Sequence, residues 1–372
     1  MAALRLSQPC RQRFSGATGR ERGARPLTSD AKVQSRFLEA CHGRPTDAVP
    51  VWFMRQAGRS LPEYRTLKQG RTILELCRTP ELAAEATLQP VRRLGVDAAI
   101  LFSDIVIPLL GMGVEVSIKP GVGPVFAHPL RSNQDVGRLR PLEPAQDVSF
   151  VLDAIGLLVP ELEVPLVGFA GAPFTLACYL VEGGPSKDHA RTKALMYSEP
   201  RTWNALMDRL TEATLAYLRA QVAAGADAVQ LFDSWMGALA PSDYHALVLP
   251  WVRRILGGLS DLGVPRILFG VATGELLGLM AASGADVVGV DWRVPLDVAR
   301  DRVGPHLALQ GNLDPAACLA PWETIQRKAN DVLERGAGRG HVFNLGHGVL
   351  PQTDPGALAR LVELVHSWTP RG

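Results

Sequence analysis

The sequence predicts an α/β fold of the (β/α)8 barrel class, a TIM barrel in a single domain, and three observations carry that reading. Eight short runs of β-forming residues are almost continuously apolar, the pattern of strands buried on both faces of a parallel sheet. Each run is followed by a polar loop and then by Ala, Leu, Glu and Arg at helical spacing. From Ala31 to Gly372 no linker or shift in composition divides the chain. Strand and helix alternating eight times is the signature of the barrel. An open doubly wound sheet is the alternative, but no G-x-G-x-x-G follows a strand to mark a dinucleotide site.

In chain order the domain boundaries fall first. Residues 1–30 hold Arg5, Arg11, Arg13, Arg20, Arg22 and Arg25 against only Glu21 and Asp30, a composition that predicts a disordered extension. It also suits an organellar transit peptide or a start codon placed too early. Residues 31–372 form the predicted barrel domain. Its strands are VPVWFM (49–54), AAILFS (98–103), VPLVGFAG (164–171), AVQLFD (228–233), RILFGVA (266–272), VVGVDW (287–292), LALQGN (307–312) and HVFNLGHG (341–348). The insert VEVSIKPGVGPVFAHPL predicts a β-hairpin turning at Gly121 to Pro124. Among the helices, Ser242 is positioned to cap SDYHALVLPWVRRILGGL, and Asp354 precedes Pro355 at the first turn of the last helix.

Composition excludes several classes. With 47% hydrophobic and 20% charged residues the chain can bury a large core. No run nears the roughly eighteen apolar residues of a membrane helix, so no membrane partner is expected. Five scattered cysteines without a C-x-x-C pair argue against disulfides and a zinc site, and for a reducing compartment. No metal and no cofactor is expected.

In a barrel the chemistry gathers where strands end, because the following loops converge over one mouth. The strand ends lead into Arg55 and Arg59, Ser103 and Asp104, Asp233 and Ser234, Asp291, and His347 between Gly346 and Gly348. His341 begins its strand and belongs to the opposite face. The segment VWFMRQAGRSLPEYR has Arg55, Arg59 and Arg65, with Lys68 and Arg71 behind them, against one acid, Glu63, although the whole chain is only +2. Guanidinium donors match carboxylate and phosphate in bidentate geometry, so the mouth predicts a small polyanion. Nucleic acid is the rival polyanion; clustering at one mouth and only 6% aromatic residues disfavour it. Each residue also has an ordinary reading. The arginines could form surface ion pairs, the aspartates could cap helices or bind neighbouring arginines, and Tyr179 could be a core tyrosine. The glycines of GFAGAP read as tight packing, and those beside His347 as room for a ligand to reach its ring.

Six motifs, MRQAGRSLPEYR, LFSDI, GFAGAPFTLACYLVEGG, QLFDSW, LQGNLDP and NLGHG, lie in this order at predicted strand ends. From about residue 33 to the carboxyl end the chain resembles the uroporphyrinogen decarboxylase family. The resemblance implies a cofactor-free, homodimeric, cytoplasmic barrel enzyme of haem and tetrapyrrole biosynthesis. Its substrate would be uroporphyrinogen III, whose four acetates become methyls to give coproporphyrinogen III and carbon dioxide. Carried over by motif, Arg55, Gln56, Ala57, Gly58 and Arg59 bind substrate, Asp104 lies under the pyrrole nitrogens, and Tyr179, Ser234 and His347 complete the pocket. Asp104, Arg55 and Arg59 are the implied catalytic residues. Two departures stand out: Ser60 occupies a position the family usually fills with tyrosine, and Lys68 one often filled with arginine.

The implied mechanism is electrostatic. Loss of carbon dioxide needs an electron sink, which a pyrrole protonated on a ring carbon provides, and an ionised Asp104 would stabilise that cation. Guanidinium hardly deprotonates, so an arginine would hold the reacting acetate while another group supplies the proton. A zinc-dependent corrinoid methyltransferase on the same barrel would need His and Cys ligands, but RILFGVATG contains neither and NLGHG has no cysteine. A non-catalytic tetrapyrrole-binding paralogue is the other alternative, opposed by the presence of Asp104, Arg55 and Arg59.

Overall fold

The computed structural model describes residues 35–119 and 121–370, so the expected extension over residues 1–30 lies outside the described residues. Among these residues one sheet holds seven parallel strands: β1 (Ala99–Ile100), β4 (Leu166–Gly171), β5 (Ala228–Asp233), β6 (Arg266–Gly270), β7 (Val287–Gly289), β8 (Ala308–Leu313) and β9 (His341–Leu345), neighbours in that order. The remaining two, β2 (Val116–Lys119) and β3 (Gly123–Phe126), pair antiparallel as the predicted hairpin. The strand residues of β4, β8 and β9 are buried throughout, as a sheet covered on both faces requires.

The sheet is curled. Gln310 of β8 donates from Nε2 to Oε1 of Gln230 on β5 at 2.9 Å, and Trp52 Nε1 donates to Gln310 Oε1 at 3.1 Å. Three strand spacings separate β5 from β8, about 14 Å in a flat sheet whose side chains stand parallel. Meeting side chain to side chain therefore requires the two strands to face each other across a concave interior.

The first predicted strand is the main departure. Of residues 49–54 only Val51 forms a parallel bridge, to Phe343 of β9. Phe343 N donates to Pro50 O at 2.8 Å and Asp97 N to Val51 O at 2.8 Å, so the segment lies between β9 and the approach to β1. Trp52 N donates to Phe343 O at 3.3 Å, and side chains take the other donors: Val51 N goes to Asp97 Oδ2 (2.7 Å), Phe53 N to Gln56 Oε1 (2.9 Å) and Met54 N to Asn344 Oδ1 (3.0 Å). With Phe53 N and Met54 N so satisfied, the ladder to β9 does not extend past Trp52. Likewise β1 stops early because Phe102 N donates to Thr87 Oγ1 at 2.8 Å.

The face where strands begin is held by a repeated device. Asp97, Asp227 and Asp286 each precede a strand and accept the first amide of the neighbouring segment, from Val51, Leu166 and Arg266. Asp97 also accepts from His366 Nε2 at 2.8 Å, tying the last helix to this face. His341 lies at the same end, buried, with Nε2 bonded to Gly311 O at 2.9 Å, which keeps it away from the mouth as expected.

Two helix expectations divide. Asp354 caps Pro355–Ser367 by accepting from Gly356 N and Ala357 N. Ser242 does not cap: the helix begins one residue earlier, Pro241–Leu247, with Ala240 before it, and a second helix, Leu249–Gly257, starts after Val248. Val248, two residues before Pro250, sits at that break, and Pro250, which has no N–H to offer the preceding turn, falls in the first turn of the second helix. No helix of the described residues is long and apolar enough to cross a membrane.

Candidate active site

The carboxyl ends of the strands bring most of the expected residues together. Arg55 follows the bridging segment and is exposed, with φ of 60°, in the left-handed region that a side chain rarely adopts. Its guanidinium is close enough to Asp104, Tyr179 and His347 to influence the titration of all three, which places four groups from four connections around one mouth.

The turn that carries Arg55 is built by its neighbours. Gln56 is buried, its Oε1 taken by Phe53 N and its Nε2 donating to Ala98 O at 2.9 Å, so this side chain holds the loop. Ala57, Gly58 and Arg59 are half-buried. Gly58 has φ of 86°, and a Cβ there would stand 2.5 Å from the Phe102 ring, so the turn fits only glycine. The rest of the cationic cluster diverges. Arg65 and Lys68 are exposed on helix Pro62–Lys68, where Arg65 Nη2 donates to Pro351 O at 3.2 Å, and Arg71 is exposed beyond it.

Asp104 is part-buried after β1 and accepts from Val106 N at 3.0 Å. Burial raises its pKa, opposed by that amide and by Arg55. Tyr179 projects from helix Pro173–Glu182, and burial, helped by the negative charge of Asp104, pushes its phenol up to about 12. The hydroxyl is therefore a donor at neutral pH. His347 is pulled down to about 4 by burial and by the positive charge of Arg55, so its imidazole is neutral and offers one donor and one acceptor.

The other two aspartates at strand ends differ. Asp233 is fully buried and accepts from Thr175 Oγ1 at 2.8 Å, while Oδ2 lacks a protein partner and burial pushes the carboxyl up to about 7. It faces the first turn of helix Pro173–Glu182, where Thr175 offers it both hydroxyl and amide. Asp291 does bind a neighbouring arginine: Arg293 Nη1 donates to its Oδ2 at 2.7 Å. Ser234 is half-buried directly after Asp233.

The glycines of NLGHG serve close packing. A Cβ on Gly346 would lie 2.3 Å from Trp292 N, and one on Gly348 would lie 2.4 Å from Arg55 Cδ. In GFAGAP the packing reading holds, since a Cβ on Gly171 would lie 2.8 Å from Leu176 Cδ2.

The profile of the uroporphyrinogen decarboxylase (URO-D) family matches residues 32–368. The chain belongs to the uroporphyrinogen decarboxylase family. It is 61% identical over 343 residues to a uroporphyrinogen decarboxylase of Streptomyces coelicolor, covering 92% of this chain and 96% of the relative. It is 60% identical over 352 residues to one of Thermobifida fusca, covering 94% and 97%. Among solved structures a methyltransferase from Methanosarcina mazei superimposes with a TM-score of 0.76 at 23% identity over 90% of this chain and 97% of that one, a likeness of fold.

Sequence reasoning about this uroporphyrinogen decarboxylase family member missed part of the mouth. Arg293 lies 4.0 Å over the Trp292 ring and its charge reaches His347. It follows the predicted strand VVGVDW directly, the signal that brought Asp291 to notice. The aromatic wall was missed as well. Ring centroids of Phe126 and Tyr179 are 6.0 Å apart, of Tyr179 and Trp235 4.2 Å, and of His189 and Trp235 4.7 Å. Phe126 comes from the hairpin, which is how the insert joins the site.

Proposed function

We propose that this chain decarboxylates uroporphyrinogen III, turning each of four ring acetates into a methyl group and yielding coproporphyrinogen III. The observation that carries the reading is the identity of 61% to a uroporphyrinogen decarboxylase over 92% of the chain. The convergence of Arg55, Asp104, Tyr179 and His347 at one mouth supports it. At each site the bond from the methylene to the carboxylate breaks, carbon dioxide leaves, and the methylene carbon takes a proton. The electron pair is held meanwhile by the protonated pyrrole.

In this reading Asp104, ionised, accepts the pyrrole N–H groups and stabilises the cation that develops in the ring. Burial works against its ionised form, and Arg55 together with Val106 N works for it. The macrocycle's own N–H donors would complete that stabilisation, so the carboxylate charges fully when substrate is seated. Arg55 and Arg59 hold side-chain carboxylates, with Gln56, Ala57 and Gly58 shaping the loop that presents them. Tyr179 donates from its hydroxyl, Ser234 lines the pocket, and neutral His347 donates a hydrogen bond without adding charge beside the developing cation.

We read residues 50–54 as the eighth stave of a closed (β/α)8 barrel, supported by the Val51–Phe343 bridge on one side and the Asp97–Val51 bond on the other. A single domain beginning near residue 31, a homodimer, action without cofactor and a cytoplasmic location complete the proposal and rest on family resemblance. The deciding experiment is anaerobic incubation with uroporphyrinogen III, oxidation of the products and chromatography. Stepwise loss of four carboxylates is expected. Binding without loss would overturn the assignment in favour of a tetrapyrrole-binding paralogue.

A further inference from the structure

The loop after β5 carries a residue with no charge and no reactive group that is nevertheless held by a backbone bond and two ring contacts. Trp235 N donates to Thr175 Oγ1 at 3.3 Å, and Thr175 in turn donates to buried Asp233 at 2.8 Å. Three residues on, Ala238 O accepts from Lys193 Nζ at 2.5 Å. The loop is thus pinned at both ends to helices Pro173–Glu182 and Ala190–Ser198. The Trp235 ring meets Tyr179 at 4.2 Å and an interplanar angle of 43°. It also meets His189 at 4.7 Å and 34°.

His189 is itself fixed. It is buried at φ of 50°, its amide donates to Ser186 Oγ at 3.1 Å, and the adjoining turn is tied by Thr192, whose N and Oγ1 both donate to Glu182 at 2.9 Å. Burial, partly opposed by Glu182, lowers the pKa of His189, so a neutral ring backs Trp235. On its free side Tyr179 meets Phe126 of the hairpin. The rings form a row, Phe126–Tyr179–Trp235–His189, in which only Tyr179 carries a hydroxyl close to Asp104 and Arg55.

We propose that Trp235 is a positioning residue for the decarboxylation: it holds the Tyr179 ring, and so fixes where the phenolic hydroxyl meets substrate, with His189 as its backing. The inference rests on the proposed decarboxylase activity and on Tyr179 meeting substrate. A tyrosine on the surface of a helix otherwise keeps rotamer freedom, and ordering it on binding would weaken substrate affinity. A tilted ring contact contributes an amount of the order that separates these states. Trp235 acts in advance of binding, so its removal is felt mainly in KM.

The test is a double-mutant cycle on the full chain, assayed anaerobically with uroporphyrinogen III, each variant checked by circular dichroism. Trp235→Leu keeps apolar bulk and removes the ring contact; it should lower kcat/KM about ten-fold, mostly through KM, and Trp235→Phe should restore most of the loss. In a Tyr179→Phe background, where no hydroxyl remains to be placed, the same substitution should change kcat/KM by less than about two-fold. Should Trp235→Leu not fold, His189→Leu removes the backing ring and should show the same dependence on the Tyr179 hydroxyl. Equal losses in both backgrounds, or no loss in either, would overturn the proposal. An inactive wild type would instead overturn the function beneath it, so the two failures are distinguishable.

Discussion

One methyl group placed opposite Arg55 tests whether that arginine's position, rather than its mere presence, governs the site. Gly348 is buried and its φ lies outside the left-handed region, so alanine is compatible with its backbone. The added Cβ would lie 2.4 Å from Arg55 Cδ, 2.7 Å from Cγ and 3.0 Å from Cβ. Non-bonded carbons prefer about 3.5–4.0 Å, so the overlap at Cδ exceeds about 1 Å. Rotation at the far end of the side chain does not relieve it, because the closest atoms lie near the backbone. That backbone is confined to the small left-handed well at φ of 60° and has little room to yield. The whole guanidinium must therefore swing away from Asp104 and His347.

Displacing a positioning group by about 1 Å can cost on the order of 10² in rate, and overpacking costs typically 1–3 kcal/mol of stability. Gly348→Ala should therefore remain folded, with a modestly lower melting temperature, yet lose about a hundred-fold in kcat/KM in the anaerobic uroporphyrinogen assay. The control is Arg55→Ala, which removes the clashing atoms beyond Cβ. In that background Gly348→Ala should change little further. A folded Gly348→Ala enzyme with wild-type kcat/KM would show that the position of Arg55 is immaterial, and the reasoning would fail.

Three further expectations follow from the same geometry. Asp104→Asn should lower kcat by roughly 10²–10³ with little change in substrate affinity, whereas Arg59→Lys should mainly raise KM and let partly decarboxylated intermediates accumulate; steady-state kinetics with product profiling separates the two. Asp233, raised to about 7 from an ordinary 3.8, makes the folded protein bind more protons than the unfolded chain between those values, so it stabilises less and less as pH climbs through that window. Asp233→Asn should accordingly be more stable than wild type at pH 8, by up to about 4 kcal/mol, with the gap closing towards pH 4; a gap independent of pH in denaturant melts would refute this. Because His347 titrates near 4, the acid limb of kcat/KM should show no inflection around pH 6.5, and one that disappears in His347→Gln would contradict the neutral imidazole.

What the sequence made legible was the part governed by local pattern. AVQLFD at 228–233 coincides with β5, the hairpin forms although its turn closes earlier than expected, with Gly123 and Pro124 already paired in β3, and Asp354 caps where Pro355 announces the first turn. What stayed hidden depends on partners far away in the chain. Residues 49–54 are as apolar as any strand, but Asn344, 290 positions on, takes the amide of Met54, and no periodicity records that competition. Trp235 and His189 sit on different connections, so nothing local says that their rings touch. The glycines beside His347 likewise look like open space until the neighbours that need the room, Trp292 and Arg55, are in place.

In the proposed activity the site must grip carboxylates while keeping a carboxyl group of its own, Asp104, beside Arg55. Burial acts alike on Asp104 and His347, driving each towards its neutral form. The charge of Arg55 then acts on them in opposite senses. It favours the ionised carboxylate, against burial, and disfavours the imidazolium, together with burial. A single fixed cation thereby pushes the two groups apart: it favours the carboxylate at Asp104, where burial still outweighs it, and the neutral imidazole at His347. A lysine in the same place would supply the charge on a flexible stem and would lose the planar fork that, in the proposed activity, holds a substrate carboxylate. Arg55 stands in the left-handed region, at φ of 60°, one residue past Met54, whose amide Asn344 takes, and from that turn its charge reaches both partners.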